Sequence, residues 1–107
     1  MQKQILDDVL CAAFEGGINH WCTNQQVVNA WPAGAEYASD TVSRGATVIL
    51  GVYQDSPVEL DKAKLEKGIR AAAKLAGVSV SDFGDDHDAG MADNAVQFAV
   101  FGEVRYV

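Results

Sequence analysis

The C-terminal segment, residues 88–107, shows the clearest change of hydrophobic pattern along the chain. Asp88 is followed by small apolar residues at helical spacing, namely Ala92, Ala95, Val96 and Ala99. Asp88 can cap the start of this helix, and Gly102 stands where a left-handed residue commonly ends one. From Glu103 to Val107 polar and apolar residues alternate. The pattern predicts a capped helix followed by a terminal strand that is tied into a sheet.

Two further segments have helical periodicity. Residues Gln4–Phe14 carry a broad apolar stripe, which Gly16 and Gly17 end. The second helix has Asp61 as N-cap and apolar positions at Leu65, Ile69, Ala72 and Ala76, and Gly77 closes it. Ser56, Pro57 and Glu59 offer an alternative start as a capping box. Its many basic residues predict a solvated outer side.

Alternation at period two predicts strands over Ile18–Trp31 and Val42–Gln54, the first with a bulge where its apolar face changes over. The second is the strongest strand, and it is apolar on both sides. We therefore expect it to be central, with something packed on each face. Gly45 and Gly51 inside it indicate a bulge, strong curvature or close approach of another backbone. Val58–Leu60 is a candidate for an additional short edge strand.

The elements give the order α-β-β-(β)-α-α-β, with residues Val78–Asp86 as a connection. Hairpin-connected strands with helices at the ends are typical of an antiparallel β-sheet covered by helices, which is the α+β class. At 107 residues the chain is long enough for one core, so residues 1–107 are expected to form a single domain.

The composition of the chain limits which partners it is expected to bind. The formal charge is −7, which disfavours direct binding to nucleic acid or to anionic membranes. No apolar run approaches the roughly 20 residues that a membrane span needs. The polar N-terminus lacks the features of a signal peptide, and two cysteines are too few for a disulfide framework. These features predict a cytoplasmic protein.

Catalytic and metal signatures are absent. There is no phosphate-binding loop, nucleophile elbow, HExxH motif or dinucleotide fingerprint, and neither histidine has a partner identifiable in sequence. The spacing of Cys11, His20, Cys22 and His87 does not match a zinc site. The carboxylates Asp82, Asp85, Asp86, Asp88 and Asp93 do not match an EF-hand and are better explained by capping and a solvated loop. We expect no catalysis, no cofactor and no metal.

A binding site needs fewer residues, and the scarce arginines are the best candidates. Arg44 and Arg105 can each hold a phosphate, and Trp21 or Phe101 can stack on a base. Phe98 and Tyr106 are alternative rings. Asn94, with Gln97 three residues on, can hydrogen-bond a ligand. The alternative is that both arginines pair with neighbouring carboxylates and that the aromatic residues belong to the core.

Two segments carry a family resemblance: Glu15-Gly16-Gly17-Ile18-Asn19-His20-Trp21 and residues Ala92–Tyr106. Together with Asp61–Ile69, they resemble a family of small phage and prophage proteins. That family commonly has tyrosine at the position of His20 and glycine at the position of Val107. In size and layout the chain is also similar to Thoeris anti-defence proteins, a likeness at the level of the fold. The likeness implies a non-enzymatic oligomer that sequesters cyclic ADP-ribose between subunits, with arginine on the phosphates and a ring on the adenine.

The sequence therefore leads to one main hypothesis and two alternatives. The main one is a phage-encoded counter-defence protein that binds and sequesters a cyclic nucleotide signal in the host cell without catalysis. One alternative is an acidic protein inhibitor that mimics nucleic acid, as an anti-CRISPR protein does, through Asp82, Asp85, Asp86 and Asp88 on one exposed face. The other is a phage structural or assembly factor. Trp21 and Trp31 in one strand register indicate a homo-oligomer.

Overall fold

The structure is a computed structural model that describes all residues from Met1 to Val107. The chain begins with helix α1 (Lys3–Ala12), which continues into a π turn at Ala13–Gly17. A bulged strand β1 (Cys22–Val28) leads through two short 3-10 turns, Ala38–Asp40 and Val42–Arg44, to strand β2 (Thr47–Val52) and strand β3 (Val58–Leu60). Three helices complete the fold, α2 (Lys62–Ala76), α3 (Val80–Asp86) and α4 (Ala89–Phe101).

The three strands form one antiparallel sheet in the order β1-β2-β3, which confirms the α+β class and the central place of β2. Val48 pairs with Val27 on one side and with Leu60 on the other. The predicted bulge lies between Cys22 and Asn24, opposite the end of β2. A Cβ at Gly51 would stand 2.5 Å from Thr23 Oγ1 and 2.6 Å from Asn24 Oδ1, so the glycine leaves room for these two side chains over β2.

The core lies on one face of the sheet. Val48, Leu50 and Val52 are buried in a single cluster with residues of α1, α2 and α4. Thr47 and Ile49 on the opposite face are only half-buried and lie outside that cluster. The prediction that layers pack on both faces of β2 is therefore wrong, since the helices all cover the same side.

Local signals set the ends of α2 and α4 as predicted. The Asp61 carboxylate accepts the Lys64 amide at 2.9 Å, and Asp88 accepts the Met91 amide at 2.8 Å. Gly77 and Gly102 end these helices in the left-handed region, at φ values of 74° and 75°. None of the helices has both the length and the apolar character to span a membrane.

Two predicted elements differ from the structure. The connection predicted over Val78–Asp86 contains helix α3, in which Ser79 caps the Asp82 amide at 3.1 Å and Phe83 is fully buried. The strand predicted over Glu103–Val107 is absent. The segment pairs with none of the three strands. It is held instead by a side chain of α4.

Candidate functional site

Gln97 of α4 holds the C-terminal segment. Its side chain is fully buried, and its Oε1 accepts the backbone amides of Arg105 and Tyr106 at 2.8 and 2.7 Å. Its Nε2 donates to the Tyr106 carbonyl at 2.8 Å. One side-chain amide thus satisfies backbone groups that a neighbouring strand would otherwise pair. Gln97 was a candidate ligand residue in the sequence, and here it is a structural one.

Asp93 is the centre of a buried polar network, and it does not belong to the solvated acidic loop predicted for it. The Trp21 Nε1 donates to Asp93 Oδ1 at 2.7 Å, and Gln97 Nε2 donates to the same oxygen at 3.0 Å. His20 Nε2 lies 2.8 Å from Asp93 Oδ2. A histidine oriented by a carboxylate is also a feature of general bases, but neither His20 nor Asp93 lines any of the three clefts.

Trp21, Phe101 and Arg105 lie together, but they contact one another. The indole of Trp21 is 1% exposed, with Tyr106 stacked at 5.9 Å and Phe101 edge-on at 5.3 Å between ring centroids. The Arg105 guanidinium lies 4.5 Å over the Phe101 ring and 3.6 Å from the Glu103 carboxylate. In this arrangement the indole has no free face on which a base could stack.

The remaining two predicted residues lie apart. Asn94 is half-buried on α4, two turns before Phe101 and on the same side of the helix. Arg44 is at the end of the second 3-10 turn, where its Nη1 donates to the Asp40 carbonyl at 2.7 Å and lies 3.9 Å from Asp7. The five residues predicted from sequence therefore do not converge on one site.

The clearest concave surface surrounds Tyr37, a residue that the sequence did not single out. Two clefts of about 350 and 400 Å³ share Cys11, Tyr37 and Ser39 as walls. The Tyr37 side chain is 64% exposed. The smaller cleft adds Phe14, Glu15 and Gln25, whereas the larger one is lined by charged residues, namely Lys3, Asp7, Asp8, Glu36, Asp40 and Arg44.

The charged cleft is more acidic than basic, and its cations are partly neutralised. Asp7 is only 8% exposed and is bound by Lys3 at 3.0 Å and by the Ser43 hydroxyl at 2.6 Å. An anion that bound Arg44 would have to share it with Asp7 and the Asp40 carbonyl. Because four carboxylates face two cations, the cleft favours ligands that carry several hydrogen-bond donors.

The chain matches no protein-family profile, no curated protein and no solved structure.

The residues considered for zinc do not meet. Cys22 is buried, and its Sγ donates to the Asn24 carbonyl at 3.2 Å. The His87 ring nitrogens lie within 3.3 Å of backbone carbonyls of Phe83, Gly84 and Asp8. In the structure no group of three or more His, Cys, Asp or Glu side chains is arranged to hold a metal ion.

Cys11, on the wall between the two clefts, gives a test of the local electrostatics. Its thiol pKa is raised from the ordinary value of 9.0 by burial and then by a hydrogen bond to Glu15 and the charge of that residue. Only the thiolate reacts with alkylating agents. We therefore expect Cys11 to react with iodoacetamide more slowly at neutral pH than a free cysteine. The Glu15→Gln variant should react faster than the parent, although burial still raises its thiol pKa.

The rate is measured by mass spectrometry in a Cys22→Ala background, so that only one thiol is present. Glu103→Gln is the matched control, since Glu103 is not among the groups that raise the Cys11 pKa. Equal rates for the Glu15→Gln variant and the parent would show that Glu15 does not control this thiol.

Proposed function

We propose that the protein is a non-enzymatic binding protein that takes up a small cyclic nucleotide in the two clefts beside Tyr37 and so sequesters it. The observation that carries the proposal is an exposed aromatic ring standing between clefts of about 350 and 400 Å³. Small-molecule sites commonly have about 300–1,000 Å³, with an aromatic wall and a few polar groups. The smaller cleft fits that description, and the larger cleft adds charged groups on the other side of Tyr37.

The groups around Tyr37 match the parts of a nucleotide. The rings of Tyr37 and Phe14 are suited to stacking on a base, and Lys3 and Arg44 to a phosphate. The carboxylates of the larger cleft suit ribose hydroxyls and base amino groups, and they oppose a highly phosphorylated ligand. A cyclic ADP-ribose isomer, with two riboses and two phosphates, is the specific ligand that we propose.

This ligand gives the proposal its biological setting, which rests on the phage-family resemblance of the sequence. In that setting the protein is phage-encoded and acts in the host cytoplasm, where it removes a nucleotide signal of the host defence. Sequestration requires no bond to be made or broken. It needs only a ligand affinity high enough to lower the free concentration of the signal.

Native mass spectrometry tests the proposal, with the protein incubated with a panel of cyclic nucleotides that includes cyclic ADP-ribose isomers. We expect an unaltered ligand mass on the wild-type protein. Tyr37→Ala is expected to weaken binding roughly tenfold or more, because stacking on an aromatic side chain contributes about 1–3 kcal/mol per base. Tyr53→Ala is the matched control, since Tyr53 is also 64% exposed and lines neither cleft.

Two arginine variants distinguish the sites. Arg44→Ala should weaken binding if the ligand lies beside Tyr37, whereas Arg105→Ala should do so if the ligand lies at the C-terminal aromatic cluster. Loss of binding in Arg105→Ala alone would move the site to Phe101 and Asn94. No added mass with any panel member, or full binding by Tyr37→Ala, would contradict the proposal for the paired clefts.

One observation favours the acidic inhibitor as a second candidate. Asp82, Asp85 and Asp86 lie three and four residues apart on α3, which places them on one side of the helix, and Asp88 follows directly. All four are exposed. Such a face is suited to a basic channel of a nucleic-acid-binding protein. Its expected signature is an association that weakens as salt is added.

A further inference from the structure

Strand β1 presents one open edge. It lies at the end of the sheet and pairs only with β2. Outside the helix and strand ladders, no backbone–backbone hydrogen bond involves any residue from Thr23 to Val28. The outward amide and carbonyl groups of this strand therefore lack backbone partners, although the Asn24 carbonyl accepts the Cys22 thiol at 3.2 Å. Such an edge is a template for another strand.

Of the protections that strand edges usually carry, this edge has only the bulge between Cys22 and Asn24. Natural edge strands are commonly blocked by lysine, proline or an inward charge. β1 contains none of these and presents Asn24, Gln25 and Gln26 instead, with the bulge at its start as the only irregularity. All eight basic and all fifteen acidic residues of the chain lie outside residues 16–35.

The absence of charged residues from positions 16–35 determines which partner suits the β1 edge. Two copies of a chain with a charge of −7 repel each other across most of their surfaces, and least where no charge is present. A two-fold axis brings the same strand from both copies together antiparallel. Side-chain amides both donate and accept hydrogen bonds. Asn24 and Gln26 of one copy are therefore complementary to the same residues of the second copy. Trp31, 50% exposed just beyond the strand, adds apolar area.

We propose that β1 pairs antiparallel with β1 of a second copy, which joins two three-stranded sheets into one six-stranded sheet. The pairing satisfies the open backbone groups of both edges at once. It does not depend on a ligand. Failure to bind a nucleotide would therefore leave this proposal standing, and a monomeric protein would leave the nucleotide proposal standing.

The test is sedimentation velocity of the full chain over a concentration series. We expect a wild-type species of twice the 11.4 kDa chain mass. Gln26→Lys should weaken the dimer roughly tenfold or more, because the two-fold axis places the two lysines close together. Glu59→Lys is the matched control. Ile49 of β2 pairs with Gln26 on one side and with Glu59 of β3 on the other, so Glu59 is an exposed residue at the opposite edge of the sheet. The Glu59→Lys variant should remain dimeric.

Hydrogen exchange of the wild-type protein gives a second readout that needs no variant. Dimerisation through β1 predicts that outward amides between Thr23 and Val28 become more protected as the protein concentration rises. A monomer at all concentrations, a dimer that Glu59→Lys disrupts and Gln26→Lys does not, or β1 amides indifferent to concentration would each overturn the proposal.

Discussion

Asp93→Ala is expected to lower the free energy of unfolding by about 3–5 kcal/mol. The substitution removes the acceptor shared by the Trp21 indole and the Gln97 amide, both of which are buried. Two buried N–H groups lose their acceptor, one of Trp21 and one of Gln97, whose Nε2 keeps its other bond to the Tyr106 carbonyl. Each unpaired buried N–H group costs about 1–3 kcal/mol. Since domains of this size have a total stability of about 5–15 kcal/mol, this loss is a large part of the total. Urea denaturation followed by tryptophan fluorescence measures the change.

Two companion variants separate the parts of this network. Asp93→Asn keeps an oxygen for Trp21 and should be much milder than the alanine variant. His20→Ala removes the partner of the other carboxylate oxygen, but the His20 side chain is 42% exposed, so the cost should stay below about 1 kcal/mol. If His20→Ala were as damaging as Asp93→Ala, the His20 contact and not the buried acceptor would be the main source of stability.

Gly68→Ala is expected to destabilise the protein by about 2 kcal/mol, although alanine is the better helix former. Helices α2 and α4 cross closely at this point. A Cβ at Gly68 would overlap the Ala95 carbonyl oxygen and lie 2.8 Å from the Ala99 Cβ. The obstacle is backbone, so it cannot move aside without shifting a helix, and overpacking of this kind costs about 1–3 kcal/mol. Thermal and urea unfolding measure the loss.

Gly90→Ala is the matched control, because it adds the same methyl group to a helical glycine in an exposed position. The only neighbour near that Cβ is an Asp88 carboxylate oxygen at 3.4 Å. Gly90→Ala should be neutral or stabilise by up to about 1 kcal/mol, as helix propensity predicts. Equal effects of the two substitutions would show that the helix crossing tolerates a side chain.

The candidate site was predictable only in part. Arg44 was identified as a candidate phosphate ligand because arginine is scarce in this acidic chain, and the structure places Arg44 on a cleft wall. Tyr37 and Cys11 were missed as ligand residues. Tyr37 stands in an irregular loop without periodicity, and nothing local in the sequence indicates that its ring stays exposed between two clefts. Trp21 shows the opposite error, since an aromatic residue suited to stacking is buried against Asp93.

The sequence by itself determined the elements that depend on neighbours a few residues away. The starts and ends of α2 and α4 follow from Asp61, Gly77, Asp88 and Gly102, whose capping contacts are local. The inward face of β2 follows from simple alternation. The residues that specify these features lie within or next to them, so the pattern in a short window of sequence predicts them.

Only the tertiary structure decided the features that depend on distant partners. Asp93 meets Trp21 across 72 residues of sequence, and no local pattern specifies that contact. The segment after Gly102 has the alternation of a strand, but it pairs with none of the three strands and its backbone hydrogen bonds go to Gln97. The physical reason is the same in both cases: a buried polar group takes whichever partner the packed fold brings within reach.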